Sequence, residues 1–231
     1  MKSSVKLLEV MGSDLTVVNA ARVSFAKKMK EFKIGRDDKL IQYLAKHGHW
    51  TPFGHVQLQF YIKSPIFVAR QLVKHQVGLV WNEVSRRYVD TEVEFYEPTY
   101  WRERAENKKQ GSGESAVDNH EFWEYKYPKL MQLSKELYEQ MLEGGIAPEQ
   151  ARMVLPQSMM TEWYWTGSLA AFGRVCNLRN SEDAQAETRE VTFKIADCIG
   201  KATDLNVSWE ALTKLIIVKH SLSLFLCYYF L

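Results

Sequence analysis

The chain lacks the short motifs that most often identify a cofactor or disulfide-bonded protein. Its three cysteines, Cys176, Cys198 and Cys227, show no CxxC spacing, which argues against a disulfide framework and fits a reducing compartment. We expect each to be a small buried side chain and not a nucleophile. The GxGxxG pattern of dinucleotide folds and the P-loop are both absent, so any dinucleotide must bind through another kind of site.

Excess charge of one sign is also missing. The 30 Lys and Arg residues against 28 Asp and Glu give a formal net charge of +2, which offers little support for nucleic-acid binding. The sequence shows no secretory signal, no internal repeat and no disordered linker, so we expect a cytoplasmic, single-domain protein. A chain of 231 residues that is 46% hydrophobic is long enough to bury one sizeable core.

Residues 215–231 are far more apolar than the chain before them. We therefore divide the sequence into a domain of residues 1–214 and a tail of residues 215–231. A membrane span needs roughly 20 predominantly apolar residues, and Lys219 and His220 interrupt this run. We interpret the tail first as a buried terminal element or subunit contact, next as a frame-altered, non-native end, and last as a membrane anchor. No membrane partner is expected.

Hydrophobic periodicity predicts a mixed architecture of strands and helices. Strands are predicted at Val5–Val10, Val56–Ile62 and Thr161–Thr166. Helices are predicted at Ser13–Ala21, Asp37–His47, Pro65–Gln76, Asn119–Leu142, from Pro148 to before Pro156, Ser168–Leu178 and Ala184–Ala202. The polar, glycine-bearing stretch Trp101–Val117 is predicted to be a surface loop.

The predicted helix Pro65–Gln76 concentrates polar side chains on one side. At roughly 100° per residue, Arg70, Gln71, Lys74 and His75 fall within a sector of roughly 140°, and apolar residues cover the rest. A mixture of cations and amides suits a phosphate-bearing, heterocyclic ligand. Taken alone, this face is explained equally well as an ordinary solvated surface.

Three histidines, His47, His49 and His55, lie on the connection between a predicted helix and a predicted strand. Connections carry function more often than core elements do, and histidine can donate, accept or change charge near neutral pH. The spacing of these histidines matches no recognised zinc motif such as HExxH, so we expect no metal. A metal-dependent hydrolase stays open as a minor alternative.

Taken in order, the polar segments resemble the flavin-dependent thymidylate synthase family. The number, order and spacing of the matches carry the resemblance, which covers most of the chain. The matching residues are Val10–Asp14, Ala20–Phe25, His47–His49 with Thr51–Phe53, Pro65–Gln71, Asn82 and Glu83 with Ser85, Arg87 and Tyr88, Arg152 with Leu155 and Pro156, Asn177–Arg179, and Ala184 and Gln185 with Glu187.

The resemblance implies a single α+β domain with a small antiparallel sheet and several packed helices, assembled as a homotetramer. It implies that FAD is held in clefts between subunits. The implied reaction is the reductive methylation of dUMP to dTMP, with 5,10-methylenetetrahydrofolate as carbon donor and NADPH as reductant. The expected partners are therefore small molecules and further copies of the chain.

The resemblance also assigns roles to individual residues. Arg179 matches the position that holds negative charge on the uracil ring, and His49 lies on the folate or nicotinamide side. The residues that match the dUMP-binding positions are Gln71, Lys74, Glu83, Ser85, Arg87, Arg152 and Arg179, with Ser85 as a hydroxyl donor and not a nucleophile. The residues that match the FAD-binding positions are Ser24, Thr51, Lys74, His75, Gln76, Asn82, Glu83 and Arg174. On sequence alone, Arg179 is better explained as a structural cation at a helix C-terminus, and the resemblance reverses that interpretation.

This chain departs from the usual family signature of Arg-His-Arg, seven residues and Ser. It has Lys74-His75-Gln76, then eight residues, Val77–Val84, before Ser85. Ser168 and Ala170 stand where family members often place Asn and Arg against the flavin, and Arg174 is a candidate replacement for the lost charge. Because lysine lacks the planar guanidinium of arginine, the hydrogen bonds to flavin or nucleotide should differ in detail. The alternative to an active enzyme is a catalytically degenerate oligomer that keeps the fold and binds flavin or nucleotide.

Overall fold

The computed structural model describes residues 2–89, 92–106, 111–113 and 115–213. Its strands are β1 (Ser4–Met11), β2 (Gln57–Pro65), β3 (Leu79–Glu83) and β4 (Met160–Ser168). Its helices are α1 (Asp14–Arg22), α2 (Arg36–Lys46), α3 (Ile66–Leu72), α4 (His120–Glu143), α5 (Pro148–Ala151), α6 (Leu169–Arg179) and α7 (Ala186–Gly200). Residues 206–213 are also helical, and short 3-10 turns occur at Val23–Phe25, Thr51–His55, Arg152–Val154 and Thr203–Leu205. The tail at 215–231 lies outside the described residues.

The four strands form one antiparallel sheet in the order β1-β2-β4-β3. Successive side chains of a strand point to opposite faces, and on β2 the buried side chains are Leu58, Phe60 and Ile62. The alternate face is polar and partly exposed; there Lys63 forms an ion pair with Glu162 at 3.1 Å. The prediction of an α+β domain with a small antiparallel sheet is thus confirmed.

Helix α6 covers the buried face of the sheet. Its Phe172 packs edge-on against Phe60 and Trp165, with ring centroids 5.0 and 5.3 Å apart. At the sheet edge, Trp81 of β3 stacks on Trp163 of β4 at 4.4 Å. Helix α7 packs against both α6 and β1, which completes a single main core on one side of the sheet.

Helix α4 lies outside the main core. It buries Met131 and Tyr138, and Tyr138 belongs to a smaller cluster with Val93, Ala151 and Met159. Most of the remaining α4 surface is exposed. This helix therefore contributes little to the core around the sheet and presents a broad face to solvent.

The predicted helix over residues 65–76 is confirmed at its start, where Pro65 is the N-cap, and is wrong at its end. Pro65 is extended and closes β2, and α3 ends at Leu72 with Val73 as its C-cap. Residues 74–76 therefore lie on a turn and not on a helical face. The spacing of polar residues predicted a helix as far as Gln76. Contacts with a distant part of the chain, described below, instead fix the backbone of residues 74–76 in a turn.

Strand β3 was not predicted. Gly78, at φ +75°, turns the chain into this strand, and the left-handed backbone there favours glycine. The strand is short and lies at the sheet edge, where Val80 is 65% exposed. The sequence of β3 therefore shows only a weak alternation of apolar and polar residues. Its last two residues, Asn82 and Glu83, were assigned to the ligand-binding motif instead.

The other predicted elements are confirmed, with boundaries shifted by a few residues. Ser13 is the N-cap of α1, and Gly144 is the C-cap of α4. Cys176 is buried, and Cys198 is partly buried. In its described part, the predicted loop at 101–117 is connected to α7 by a partly buried ion pair between Arg102 and Glu187. None of the described helices has the length and apolar character needed to cross a bilayer.

Candidate active site

Arg179 and His75 form the central contact of the candidate site. Helix α6 starts at its N-cap Ser168 and ends at Arg179, which brings the guanidinium to the C-terminal end of that helix. Arg179 Nε donates to His75 Nε2 at 2.9 Å, and its Nη2 donates to the carbonyl of Gln71 at 3.4 Å. Gln71 of α3 and His75 of the following turn thus meet Arg179 of α6, more than a hundred positions away in sequence.

The contact fixes the protonation state of His75. Arginine is always a donor, so His75 Nε2 must accept, and the ring must be neutral with its hydrogen on Nδ1. Burial lowers the pKa of His75 from its ordinary 6.5, and the nearby cations Arg179 and Arg174 lower it further. A neutral His75 leaves the positive charge of this site on arginine.

The turn that carries His75 is held against the start of α6. Arg174 Nη2 donates to the carbonyl of Val77 at 2.7 Å, and the backbone N–H of Ser168 donates to the carbonyl of Gly78 at 3.2 Å. A Cβ at Gly167 would overlap the Gly78 carbonyl oxygen, so the two backbones approach closely. Arg174 therefore positions the turn. The sequence predicted only a contact between Arg174 and the flavin.

Ser168 and Ala170 have structural roles in this chain. The Ser168 hydroxyl accepts from the backbone N–H of Ala171 at 3.2 Å and caps α6, and it is only 7% exposed. Ala170 is buried. The two departures from the family pattern thus support the helix that ends at Arg179.

Gln71 is oriented by two residues of the α7 region. Its Nε2 donates to the side-chain oxygen of Gln185, and its Oε1 accepts from Thr188 Oγ1 at 3.2 Å. Thr188 is fully buried. Sequence analysis included Gln185 only as a matching position and missed Thr188, although the spacing of three residues at a helix start indicates side chains on one face.

A second group of predicted residues lies around Glu149. Arg87 Nε contacts Glu149 Oε2 at 3.2 Å, and Arg152 Nε donates to the Glu149 carbonyl at 3.3 Å. The Ser85 hydroxyl accepts from the backbone N–H of Arg87 at 3.3 Å. Both arginines are exposed, so their outer N–H groups can reach a ligand.

Strand β3 separates this second group from the turn held by Arg174. Val77, the partner of Arg174, lies just before the strand, and Ser85 lies just after it. Five strand residues at roughly 3.3 Å each place these two ends roughly 17 Å apart. The structure therefore brings Gln71, His75 and Arg179 together but places Ser85 at the far end of β3 from the Arg174 contact.

Asn82 and Glu83 were both assigned to FAD, yet they point to opposite faces of β3 because they are consecutive strand residues. Glu83 accepts from Thr161 Oγ1 at 2.8 Å and from Trp81 Nε1 at 3.2 Å. A single group bound on one face of β3 would contact only one of the two side chains.

The remaining predicted residues lie on exposed turns. Ser24 belongs to the turn after α1, Thr51 begins the turn after α2, and both are exposed. Among the histidines, His49 stacks on Tyr43 with ring centroids 6.1 Å apart, and His47 contacts the same ring at 4.3 Å. Within the described ranges, no three His, Cys, Asp or Glu side chains are arranged to share a metal ion.

Several exposed groups have the chemistry that a flavin dinucleotide requires. Arg70 and Lys74 are exposed and form no ion pair within the part of the chain that the structure describes. Phe25 is 73% exposed and Trp50 is 58% exposed, on the turns that carry Ser24 and Thr51. Unpaired cations suit a diphosphate and exposed rings suit a flat heterocycle, so these residues fit FAD in character.

Comparison with known proteins places these residues in a family. The model for thymidylate synthase complementing proteins matches residues 6–203. A flavin-dependent thymidylate synthase from Thermosipho africanus is 39% identical over 200 residues, which covers 85% of each chain. A flavin-dependent thymidylate synthase from Thermus thermophilus is 38% identical over 210 residues, covering 91% of this chain and 75% of the relative.

The fold is likewise shared with a solved enzyme. A crystal structure of the UMP/dUMP methylase PolB from Streptomyces cacaoi, bound with 5-Br dUMP, superposes with a TM-score of 0.82 at 30% identity. The similarity covers 92% of this chain and 95% of PolB. The same methylase bound with 5-Br UMP gives a TM-score of 0.81 at 29% identity.

Proposed function

Since the chain belongs to the flavin-dependent thymidylate synthase family, we propose that it methylates dUMP at C5 to form dTMP, with FAD as its cofactor. The proposed carbon donor is 5,10-methylenetetrahydrofolate, and the proposed reductant is NADPH. Bound FAD would supply the redox chemistry that links NADPH to the new methyl group. The observation that carries the proposal is the Arg179 side chain held by His75 and Gln71 at the end of α6.

Arg179 is the proposed catalytic residue. C5 of uracil is a poor nucleophile until electron density is pushed into the ring, and a fixed cation beside the ring stabilises the negative charge that results. Two of the five N–H groups of Arg179 are used by His75 and Gln71. Within the described residues the others have no hydrogen-bond partner and can donate to a ring oxygen, and the orientation of the guanidinium is set before the substrate binds.

The other assigned residues would bind the two ligands. Side chains proposed to hold dUMP are Gln71, Lys74, Glu83, Ser85, Arg87 and Arg152. Those proposed to hold FAD are Ser24, Thr51, Lys74, His75, Gln76, Asn82, Glu83 and Arg174, with His49 on the folate or nicotinamide side. The exposed cations Arg70 and Lys74 and the exposed rings of Phe25 and Trp50 support a flavin diphosphate in this region.

We further propose that the enzyme is a homotetramer whose active sites lie between subunits. The separation of roughly 17 Å along β3 supports this arrangement, because it distributes the proposed dUMP contacts of one chain between two distant places. A complete site would then combine the Arg179 group of one chain with the Ser85 and Arg87 group of another.

The test is reconstitution with FAD followed by assay of dTMP formation. We expect the purified protein to be yellow, or to become yellow with FAD, and NADPH to bleach it. A colourless protein that FAD cannot reconstitute would overturn the proposal. A stable flavoprotein that is reduced by NADPH but inactive on dUMP would instead support the degenerate binding protein.

The same assay should include UMP as a substrate. PolB, which shares the fold, is a UMP/dUMP methylase. The curated relatives with the higher identities are thymidylate synthases, which favours dUMP for this chain. Equal methylation of UMP and dUMP would therefore contradict the proposed specificity but not the proposed chemistry.

A further inference from the structure

Helix α4 exposes a stripe of large apolar side chains that nothing in the described chain covers. Leu130 is 59% exposed, Leu133 is 61% exposed and Leu137 is 44% exposed, whereas Met131 and Tyr138, each about 100° further around the helix, are buried. Exposed apolar patches of this kind mark interaction surfaces more often than free surface. The stripe carries none of the residues assigned to dUMP or FAD.

The spacing of the stripe is that of a helix-pairing seam. Positions 123, 130 and 137 are seven residues apart, and positions 126, 133 and 140 form the second row, which gives the a and d positions of a heptad. Trp123, Leu130 and Leu137 occupy the a row, and Lys126, Leu133 and Gln140 occupy the d row. The Lys126 ammonium lies 5.4 Å from the Phe122 ring, so its aliphatic stem stays at the helix surface.

The charges beside the seam identify the partner. In an antiparallel pair of two α4 helices, Leu130 of each copy packs beside Leu133 of the other. Lys129 and Glu136 occupy the g positions, which flank the a and d rows. In the antiparallel pair, Lys129 of one copy lies opposite Glu136 of the other, and the two-fold symmetry repeats this pair. We propose that the α4 stripe is a contact between two copies of this chain, with the helices antiparallel about a two-fold axis between Leu130 and Leu133.

The alternative arrangements of the same two helices are electrostatically worse. Shifting the antiparallel pair by one heptad places Glu136 against Glu136 of the second copy. A parallel pair places Lys126 against Lys126 within a d layer. Like charges in these positions oppose pairing, so charge selects one direction and one register.

This contact deepens the proposed oligomer, and it rests on that part of the proposed function. Its failure can be distinguished from failure of the chemistry. Loss of the α4 contact would change the mass of the particle, whereas loss of the chemistry would appear as absent FAD binding or absent dTMP formation at unchanged mass.

Charge reversal at the g positions tests the register. We expect Lys129→Glu and Glu136→Lys each to weaken association by about tenfold at low salt, because each replaces two opposite-charge contacts by two like-charge contacts. The double variant Lys129→Glu/Glu136→Lys should recover to within about threefold of the unmodified chain, since it restores opposite charges. Glu139→Lys, with the same change of charge on an exposed position off the seam, is the matched control and should leave association unchanged.

Sedimentation velocity over a dilution series provides the measurement, with circular dichroism to show that each variant is folded. A second variant, Leu130→Ser/Leu133→Ser, removes the apolar centre and should halve the particle mass. Ile34→Ser, at a side chain that is 90% exposed and lies on a different segment, is the matched control and should not change the mass. An unmodified chain that is monomeric, or a particle mass that neither the serine pair nor either charge reversal alters, overturns the proposal. If the chain's own C-terminal segment covers the stripe, these substitutions would leave the particle mass unchanged. Single charge reversals that weaken association without recovery in the double variant would overturn the antiparallel register.

Discussion

Arg179 Nε and His75 Nε2 lie 2.9 Å apart, and the hydrogen between them belongs to the arginine. His75 can take this position only while it is neutral, because a protonated imidazole has no acceptor. The orientation of the proposed catalytic cation is therefore coupled to the charge of a histidine on a different segment.

Arg179→Ala should abolish dTMP formation more than it affects folding. If Arg179 stabilises charge on the uracil ring, its loss removes an interaction made mainly in the transition state, and we expect kcat to fall on the order of 10²–10³. NADPH oxidation by the bound flavin should survive, since the flavin accepts hydride without polarisation of the pyrimidine. The matched control is Arg104→Ala, an exposed arginine to which no role in the site is assigned. Near-normal dTMP formation in a folded Arg179→Ala protein would place the chemistry on another residue.

Acid should selectively weaken the contribution of His75 to stability. Because its pKa is lowered below 6.5 in the folded chain, the unfolded chain binds a proton in this window that the native chain does not. The contribution is therefore complete above about pH 6.5 and is lost as the pH falls toward the lowered value. We expect the stability difference between the unmodified chain and His75→Gln to shrink from about pH 7.5 to about pH 5.5, measured by urea unfolding. A difference that grows with acid would mean that His75 is stabilised as a cation.

Thr188→Val should disturb Gln71 without emptying space in the core. The substitution keeps the shape of a fully buried side chain but removes the hydroxyl that donates to Gln71 Oε1. We expect a loss of about 1 kcal/mol in unfolding free energy, with a rise in the KM for dUMP. Thr188→Ser, which restores the hydroxyl, should recover the KM even if it costs stability. Unchanged kinetics in Thr188→Val would limit this residue to a structural role.

Lys74→Ala should weaken ligand binding while leaving the melting temperature nearly unchanged. The side chain is exposed on the turn after α3 and forms no ion pair in the described part of the chain, so its removal costs few intramolecular contacts. Isothermal titration should show weaker binding of FAD or dUMP. Lys74→Arg should bind at least as tightly as the natural side chain, because a planar fork can hold a phosphate through two hydrogen bonds. Equal affinities in all three proteins would mark Lys74 as an ordinary solvated lysine.

The sequence predicted the elements whose local signals are strong. The alternation along β2 and the start of α1 both depend on neighbouring residues, and both elements were predicted correctly. The turn at residues 73–78 was not recognised, because the contact that holds it comes from Arg174, far along the chain. The same limit applies to the site: resemblance nominated Gln71, His75 and Arg179, but only the folded chain shows that they touch.

The length of β3 has a genetic consequence. If a complete site takes Arg179 from one chain and Arg87 from another, two differently defective alleles can compensate for each other. Arg179→Ala and Arg87→Ala proteins would each be inactive alone. If the two proteins assemble at random in equal amounts, about a quarter of the sites would contain both arginines. A strain that depends on this enzyme for thymidine would then grow only when it carries both alleles.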